Sequence, residues 1–180
     1  MIFRSLPLDS AMEVTLQRRG DARGFFARTF CEDEFASQGL NTRWVQMNIS
    51  LSAEQGTVRG LHFQRPPSAE VKLVRCLRGR ALDVIVDLRK SSATFGHHCA
   101  LELDAEARNA IYIPEGFAHG FQTLTDETEL QYMHSHRYAP QDEGGINPLD
   151  KSLSIDWPLP ISQLSDRDAA LPGLKECEPL

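Results

Sequence analysis

Between residues 42 and 138 the chain alternates apolar and polar side chains in short runs and never settles into the three-to-four-residue spacing of an amphipathic helix. The segments TRWVQMNISL, GTVRGLHFQ, VKLVRCLRG, RALDVIVDL, CALELD, NAIYIPEGFAHGF and TELQYMHSHRY each read as a strand, with turn residues between them. Successive side chains of a strand point to opposite faces, so Val45, Met47, Ile49 and Leu51 share one face while Gln46, Asn48 and Ser50 share the other. The same test on ALDVIVDL groups Leu82, Val84, Val86 and Leu88, and sets Asp83 and Asp87 opposite them. Short alternating strands without interleaved helices specify an all-β antiparallel sandwich or jelly roll, with the polar faces expected to line its cavity. Helices are expected only at the periphery. CEDEFASQGL has acidic residues in its first turn and Gly39 near its end, and SQLSDRDAAL reads as a second short helix or turn.

With 180 residues, 41% of them hydrophobic, the chain fits a single domain over residues 1–180. A domain of that size buries ~70% of its surface, enough for a core without disulfides or structural metal. The formal net charge is −6, and no cluster of Lys and Arg matches a phosphate backbone, which excludes general nucleic-acid binding. An anionic small molecule stays open, because a few converging cations do not require a basic chain. Cys31, Cys76, Cys99 and Cys177 show neither CxxC spacing nor a compact framework, which points to reduced thiols in a cytoplasm. The first residues, MIFRSLPLDS, hold no uninterrupted apolar stretch, and no segment approaches the ~18 apolar residues of a membrane helix, so no membrane partner is expected.

Two histidines stand in unusual settings, His62 in RGLHFQ and His119 in IPEGFAHGF. Pro114, Gly116 and His119 form a P-x-G-x-x-H pattern that resembles the second motif of cupins, whose histidine ligates a metal in many members. The first cupin motif would need two histidines one residue apart and then a glutamate. Here it offers His62 alone, and position 72 is a lysine, whose protonated amine cannot ligate a metal. A cavity without metal or other cofactor is therefore expected. Imidazole, ammonium and phenol still suffice for one kind of chemistry. A neutral imidazole removes a proton from a carbon beside a carbonyl, an ammonium stabilises the enolate, and a phenol returns a proton to the other face, inverting the carbon. Lys72 and Tyr132 are the candidates, although a solvated strand lysine and a rim tyrosine are each commoner than catalytic ones.

RGLHFQ, KLVRC, DVIVDLR with SATFG, IPEGFAHGF and the Y-x5-Y-x-P of Tyr132, Tyr138 and Pro140 resemble, in order and spacing, the dTDP-4-dehydrorhamnose 3,5-epimerase family. RGDARGFF near the start and SIDWPL with LSDRDAA near the end extend the likeness from about Arg19 to about Ala170. The resemblance implies a cupin jelly roll, a homodimer with exchanged N-terminal strands, and metal-independent epimerisation of a nucleotide-diphosphate 4-keto-6-deoxysugar. Carried over by position, it makes His62 the proton acceptor and Asp168 the carboxylate that orients it, leaving one ring nitrogen free as base. It sets Lys72 beside the keto oxygen and makes Tyr132 the proton donor. Arg23, Gln46, Asn48, Arg59, His119 and Glu143 match binding positions, Tyr138 matches the aromatic that stacks on the base, and Asp83 is expected on the His62 side of the pocket.

Three positions depart from the family pattern. Arg28 stands where dTDP-sugar members commonly carry a glutamate; a carboxylate accepts from the N3–H of thymine, whereas a guanidinium only donates. Asn147, Pro148 and Leu149 replace a Trp-Asn/Asp segment, and Arg167 replaces a lysine. Arg28 and Arg167 are carried as binding candidates, and a CDP- or GDP-linked sugar is the expectation that Arg28 raises. Three other readings stand beside epimerisation: a 3,4-ketoisomerase, a non-catalytic sugar-nucleotide-binding cupin and a metal-dependent cupin.

Overall fold

A computed structural model describes residues 1–180. Thirteen strands run β1 (Ile2–Ser5), β2 (Met12–Thr15), β3 (Arg19–Asp21), β4 (Gly24–Phe26), β5 (Gln46–Ser52), β6 (Val58–Gln64), β7 (Lys72–Arg78), β8 (Arg80–Asp87), β9 (His98–Asp104), β10 (Asn109–Ile113), β11 (Phe117–Thr123), β12 (Thr128–His134) and β13 (Glu143–Gly145). The helices are α1 (Glu32–Ser37) and α2 (Asp166–Ala169). One sheet has the order β1-β2-β10-β7-β12-β5 and the other β13-β6-β11-β8-β9, all neighbours antiparallel, while β3 and β4 form a separate hairpin. This is the jelly roll that the alternation specifies.

Val74, Cys76, Ile111, Ile113 and Leu130 from the first sheet meet Ile85, Leu103, Phe117 and Phe121 from the second, and this is the central core. Both sheets also carry cover on their outer faces. Phe35 of α1, with Phe3, Phe30 and Trp44 around it, packs on Leu73, Ala110, Tyr112 and Met133. The C-terminal segment packs Ile146, Leu153 and Cys177 on Leu61, Phe63, Val86 and Leu88. Burial on both sides corrects the two-faced reading of ALDVIVDL. Asp83 and Asp87 are both fully buried, and only Asp83 turns to the interior hollow. Asp87 accepts from Arg89, Ser92 and Thr94 and so staples the following loop.

Strand β5 differs in the opposite sense. It is a sheet edge, and its apolar face, Met47, Ile49 and Leu51 with Val45 just before the strand, is the exposed one, while Asn48 and Ser50 turn to the hollow. Helix α1 begins after Cys31 and ends at Ser37, and Gly39, just past the Gln38 cap, takes φ +69° as the chain turns away. In α2 the Ser165 side chain accepts from the Asp168 backbone N–H, capping the turn that carries Asp168. No helix is long and apolar enough to cross a membrane, and all four cysteines are unpaired.

Candidate active site

A hollow of about 280 Å³ opens between the sheets, lined among others by Asn48, Ser50, Arg59, His62, Lys72, His119, Tyr132 and His134. Its two walls carry different chemistry. His62 on β6 and His119 on β11 are direct cross-strand partners in the five-stranded sheet. Lys72 on β7, Tyr132 and His134 on β12, and Asn48 and Ser50 on β5 come from the six-stranded sheet. Glycine makes the first wall possible. A Cβ on Gly60, which has φ +117°, would lie 2.6 Å from Gly120 Cα, and one on Gly120 would lie 2.5 Å from the Arg59 carbonyl oxygen. Only a bare backbone lets β6 and β11 close on each other here, bringing the two imidazoles side by side.

Each of these imidazoles is backed by a carboxylate. His62 Nε2 donates to Asp168 Oδ1 at 2.7 Å, and Asp168 Oδ2 also accepts from the Gly60 N–H at 3.1 Å, which fixes the carboxylate and leaves His62 Nδ1 with its lone pair. Burial pushes the His62 imidazole below its ordinary value and outweighs the opposing pull of Asp168, so at neutral pH the ring is uncharged and basic. His119 Nε2 donates to Asp83 Oδ2 at 2.8 Å. Asp83 therefore supports His119 rather than His62, because its side chain rises from β8 directly beneath β11. Its other oxygen has no partner, and burial pushes this carboxyl upward.

On the opposite wall the Tyr132 hydroxyl lies 2.9 Å from Ser50 Oγ, and burial pushes its phenol well above the usual value, so it holds its proton as a donor. Lys72 Nζ lies 3.2 Å from Glu70 Oε1. Arg59 is fixed by its Nε to Ser52 Oγ at 3.1 Å and reaches the rim. A second group of the expected residues forms a connected edge. The Tyr138 N–H donates to Gln46 Oε1 at 3.1 Å, its hydroxyl donates to Glu143 Oε2 at 2.8 Å, and Arg167 Nη2 reaches the same oxygen at 2.8 Å. Gln46 in turn donates to Asn48 Oδ1 at 3.3 Å, joining that edge to the hollow.

Arg23 and Arg28 are not brought to this hollow. Arg23 sits in the exposed β3–β4 hairpin and pairs with Asp21 at 2.5 Å, and Arg28 pairs with Glu34 of α1 at 2.9 Å. The segment that carries them belongs to neither sheet, so nothing within one chain turns it inward. Sequence reasoning put Ser50 on a cavity-lining face without giving it a role, and missed His134 and Glu70 as site residues. The signal was present, because period two sets His134 on the face of Tyr132, Glu70 on that of Lys72, and Ser50 on that of Asn48.

A jelly roll with imidazoles on one wall and an ammonium and a phenol on the other is a cupin built for acid–base chemistry. The family model described as dTDP-4-dehydrorhamnose 3,5-epimerase matches residues 5–176. The chain is 47% identical over 150 residues to dTDP-4-dehydrorhamnose 3,5-epimerase of Shigella flexneri, covering 83% of this chain and 82% of that one. Among solved structures, the dTDP-4-dehydrorhamnose 3,5-epimerase of Elizabethkingia anophelis NUHP1 matches with a TM-score of 0.94 at 40% identity, over 98% of this chain and 97% of that chain. The dTDP-6-deoxy-D-glucose-3,5-epimerase of Legionella pneumophila Philadelphia 1, solved in complex with dTDP-4-keto-L-rhamnose, matches with a TM-score of 0.92 at 36% identity, over 98% of this chain and 94% of that chain. The chain belongs to the dTDP-4-dehydrorhamnose 3,5-epimerase family.

Proposed function

We propose that this protein epimerises C3 and C5 of a dTDP-linked 4-keto-6-deoxyhexose in deoxysugar biosynthesis, by proton removal and return through an enolate. The observation that carries this reading is the opposition of His62 to Tyr132 across one hollow, with Lys72 on the phenol's wall. His62 Nδ1 takes the proton from the carbon beside the C4 ketone, and the bonding pair moves onto the keto oxygen. The Lys72 ammonium donates to that oxygen as it becomes negative. Tyr132 then delivers its proton to the opposite face, and Ser50 donates to the phenolate left behind. Solvent removes the proton from the His62 imidazolium and restores the phenol, so the enzyme returns to its starting state.

Arg59 and Arg23 serve the diphosphate by bidentate donation, and the exposed Tyr138 ring offers a face for the base. Arg23 reaches the site from a second copy, through exchange of N-terminal strands in a homodimer. The exposed Phe25 and Phe26 of the hairpin, together with the outward apolar face of β5, supply the surface for that exchange. Ile49→Asp is expected to yield monomers in sedimentation velocity and to lose activity with them; a fully active monomer would overturn this assembly. Four free cysteines accord with work in a cytoplasm.

Thymine recognition is not assigned to Arg28, whose guanidinium is already engaged by Glu34. The expected outcome of presenting dTDP-, CDP- and GDP-linked 4-keto-6-deoxyglucose side by side, with products read by NMR, is inversion of the dTDP sugar at both centres. Preference for CDP or GDP would restore the Arg28 argument. A shifted carbonyl in place of an inverted centre would establish the ketoisomerase, and binding without turnover the non-catalytic cupin.

A further inference from the structure

The hollow holds a third carboxylate–imidazole pair, which the mechanism above leaves unused. Glu70 precedes β7 and shares the face of Lys72, and Lys72 stands directly opposite His134 in the β7–β12 register. Glu70 Oε1 accepts from Lys72 Nζ at 3.2 Å, and its Oε2 accepts from His134 Nδ1 at 2.8 Å. The Glu70 side chain is 8% exposed and both partners are 12% exposed. Burial works against the ionised carboxylate, but the His134 hydrogen bond and the Lys72 charge hold it below its ordinary value, so it is charged at neutral pH. With Nδ1–H committed to Glu70, the far nitrogen of His134 faces the Asn48 amide at 3.4 Å, and the ring lies nearly parallel to Tyr132. His134 is thus held on three sides and holds Glu70 in turn.

A lysine brings four rotatable bonds to its ammonium, and freezing a free one costs side-chain entropy. An ammonium that must meet a developing enolate gains from having that ordering done before the reaction begins. We propose that Glu70 is a positioning residue that aims the Lys72 ammonium at the keto oxygen, with His134 bracketing its second oxygen so that the carboxylate cannot turn away. This rests on the epimerase reading above. It makes Glu70 a group that acts on the rate through Lys72 and leaves substrate affinity alone.

Glu70→Gln keeps the shape and removes the charge. On dTDP-4-keto-6-deoxyglucose its kcat is expected to fall ~10- to 100-fold, short of the ~100- to 1,000-fold that loss of an oxyanion donor costs, with KM unchanged. In a Lys72→Met background the same change is expected to add no more than ~2-fold, because nothing is left to aim. A purely structural glutamate would instead cost the same factor in both backgrounds, and that result, or an unaltered kcat, overturns the proposal. Should Glu70→Gln fail to fold, His134→Phe keeps a ring and leaves the Glu70–Lys72 pair but removes the Nδ1–H donor to Glu70; a several-fold kcat loss at constant KM is expected, and parent-level kcat overturns it. A parent enzyme that leaves the sugar unchanged would bring down the epimerase reading itself, which separates that failure from one confined to the variants.

Discussion

Replacing His62 with alanine is expected to lower kcat by at least the ~100- to 10,000-fold that a positioned base contributes, with little change in KM. The side chain gives up its only carboxylate contact and leaves Asp168 buried with the Gly60 N–H as its remaining partner. Proton removal is the first chemical event, so exchange and inversion should disappear together. The pH profile follows from the same geometry. Burial lowers the His62 value, so the neutral, basic ring persists to more acidic pH than an ordinary histidine. kcat/KM should therefore hold through the usual imidazole range and fall only below it. Asp168 raises the His62 value against that burial. Asp168→Asn should move the acidic limb further down and lower the plateau, since the base becomes weaker and loses its orientation. A profile displaced toward higher pH would contradict this assignment. Steady-state kinetics across pH on parent and variant supply the comparison.

Lys72→Met is expected to lower kcat ~100- to 1,000-fold, the usual cost of one donor to a developing oxyanion. KM should change much less, because the ketone is neutral and becomes charged only as the enolate forms. The variant also deprives Glu70 of one partner while His134 retains the other, so folding should survive with a lower melting temperature. A large rise in KM at constant kcat would make Lys72 a ground-state binding residue. Together with His62→Ala, these kinetics separate the base from the group that receives the charge.

Seven segments were legible as strands because each is a short run bounded by turns, and one of them, NAIYIPEGFAHGF, divides in the structure into β10 and β11. Strands β1 to β4 and β13 span only three or four residues, too few for a period to show. The faces of β8 were misread for a different reason. Alternation implies one wet side, but the C-terminal segment covers the face of Val86 and Leu88, while the loop after β8 closes over Asp87 through Arg89, Ser92 and Thr94. On β5 the exposed face is the apolar one, the reverse of what alternation in a half-buried strand leads one to expect. Motif likeness reached His62, Lys72, His119, Tyr132 and Asp168, and all five converge on the hollow or directly behind it. Asp83 was expected on the His62 side of the pocket and lies on that wall, and the strand order, which sets β8 beside β11, decides that its partner there is His119. Glu70 lies outside the quoted motifs and His134 is one of the unspecified positions of Y-x5-Y-x-P, and their tie depends on β7 pairing with β12 across 64 residues of sequence.

The decisive measurement is turnover of the dTDP-linked 4-keto-6-deoxysugar in heavy water, with the product read by proton NMR. If carbon-bound protons leave to an imidazole on one wall and return from a phenol on the other, every inverted carbon carries deuterium. Inverted product that retains its original protium at those carbons would contradict the account.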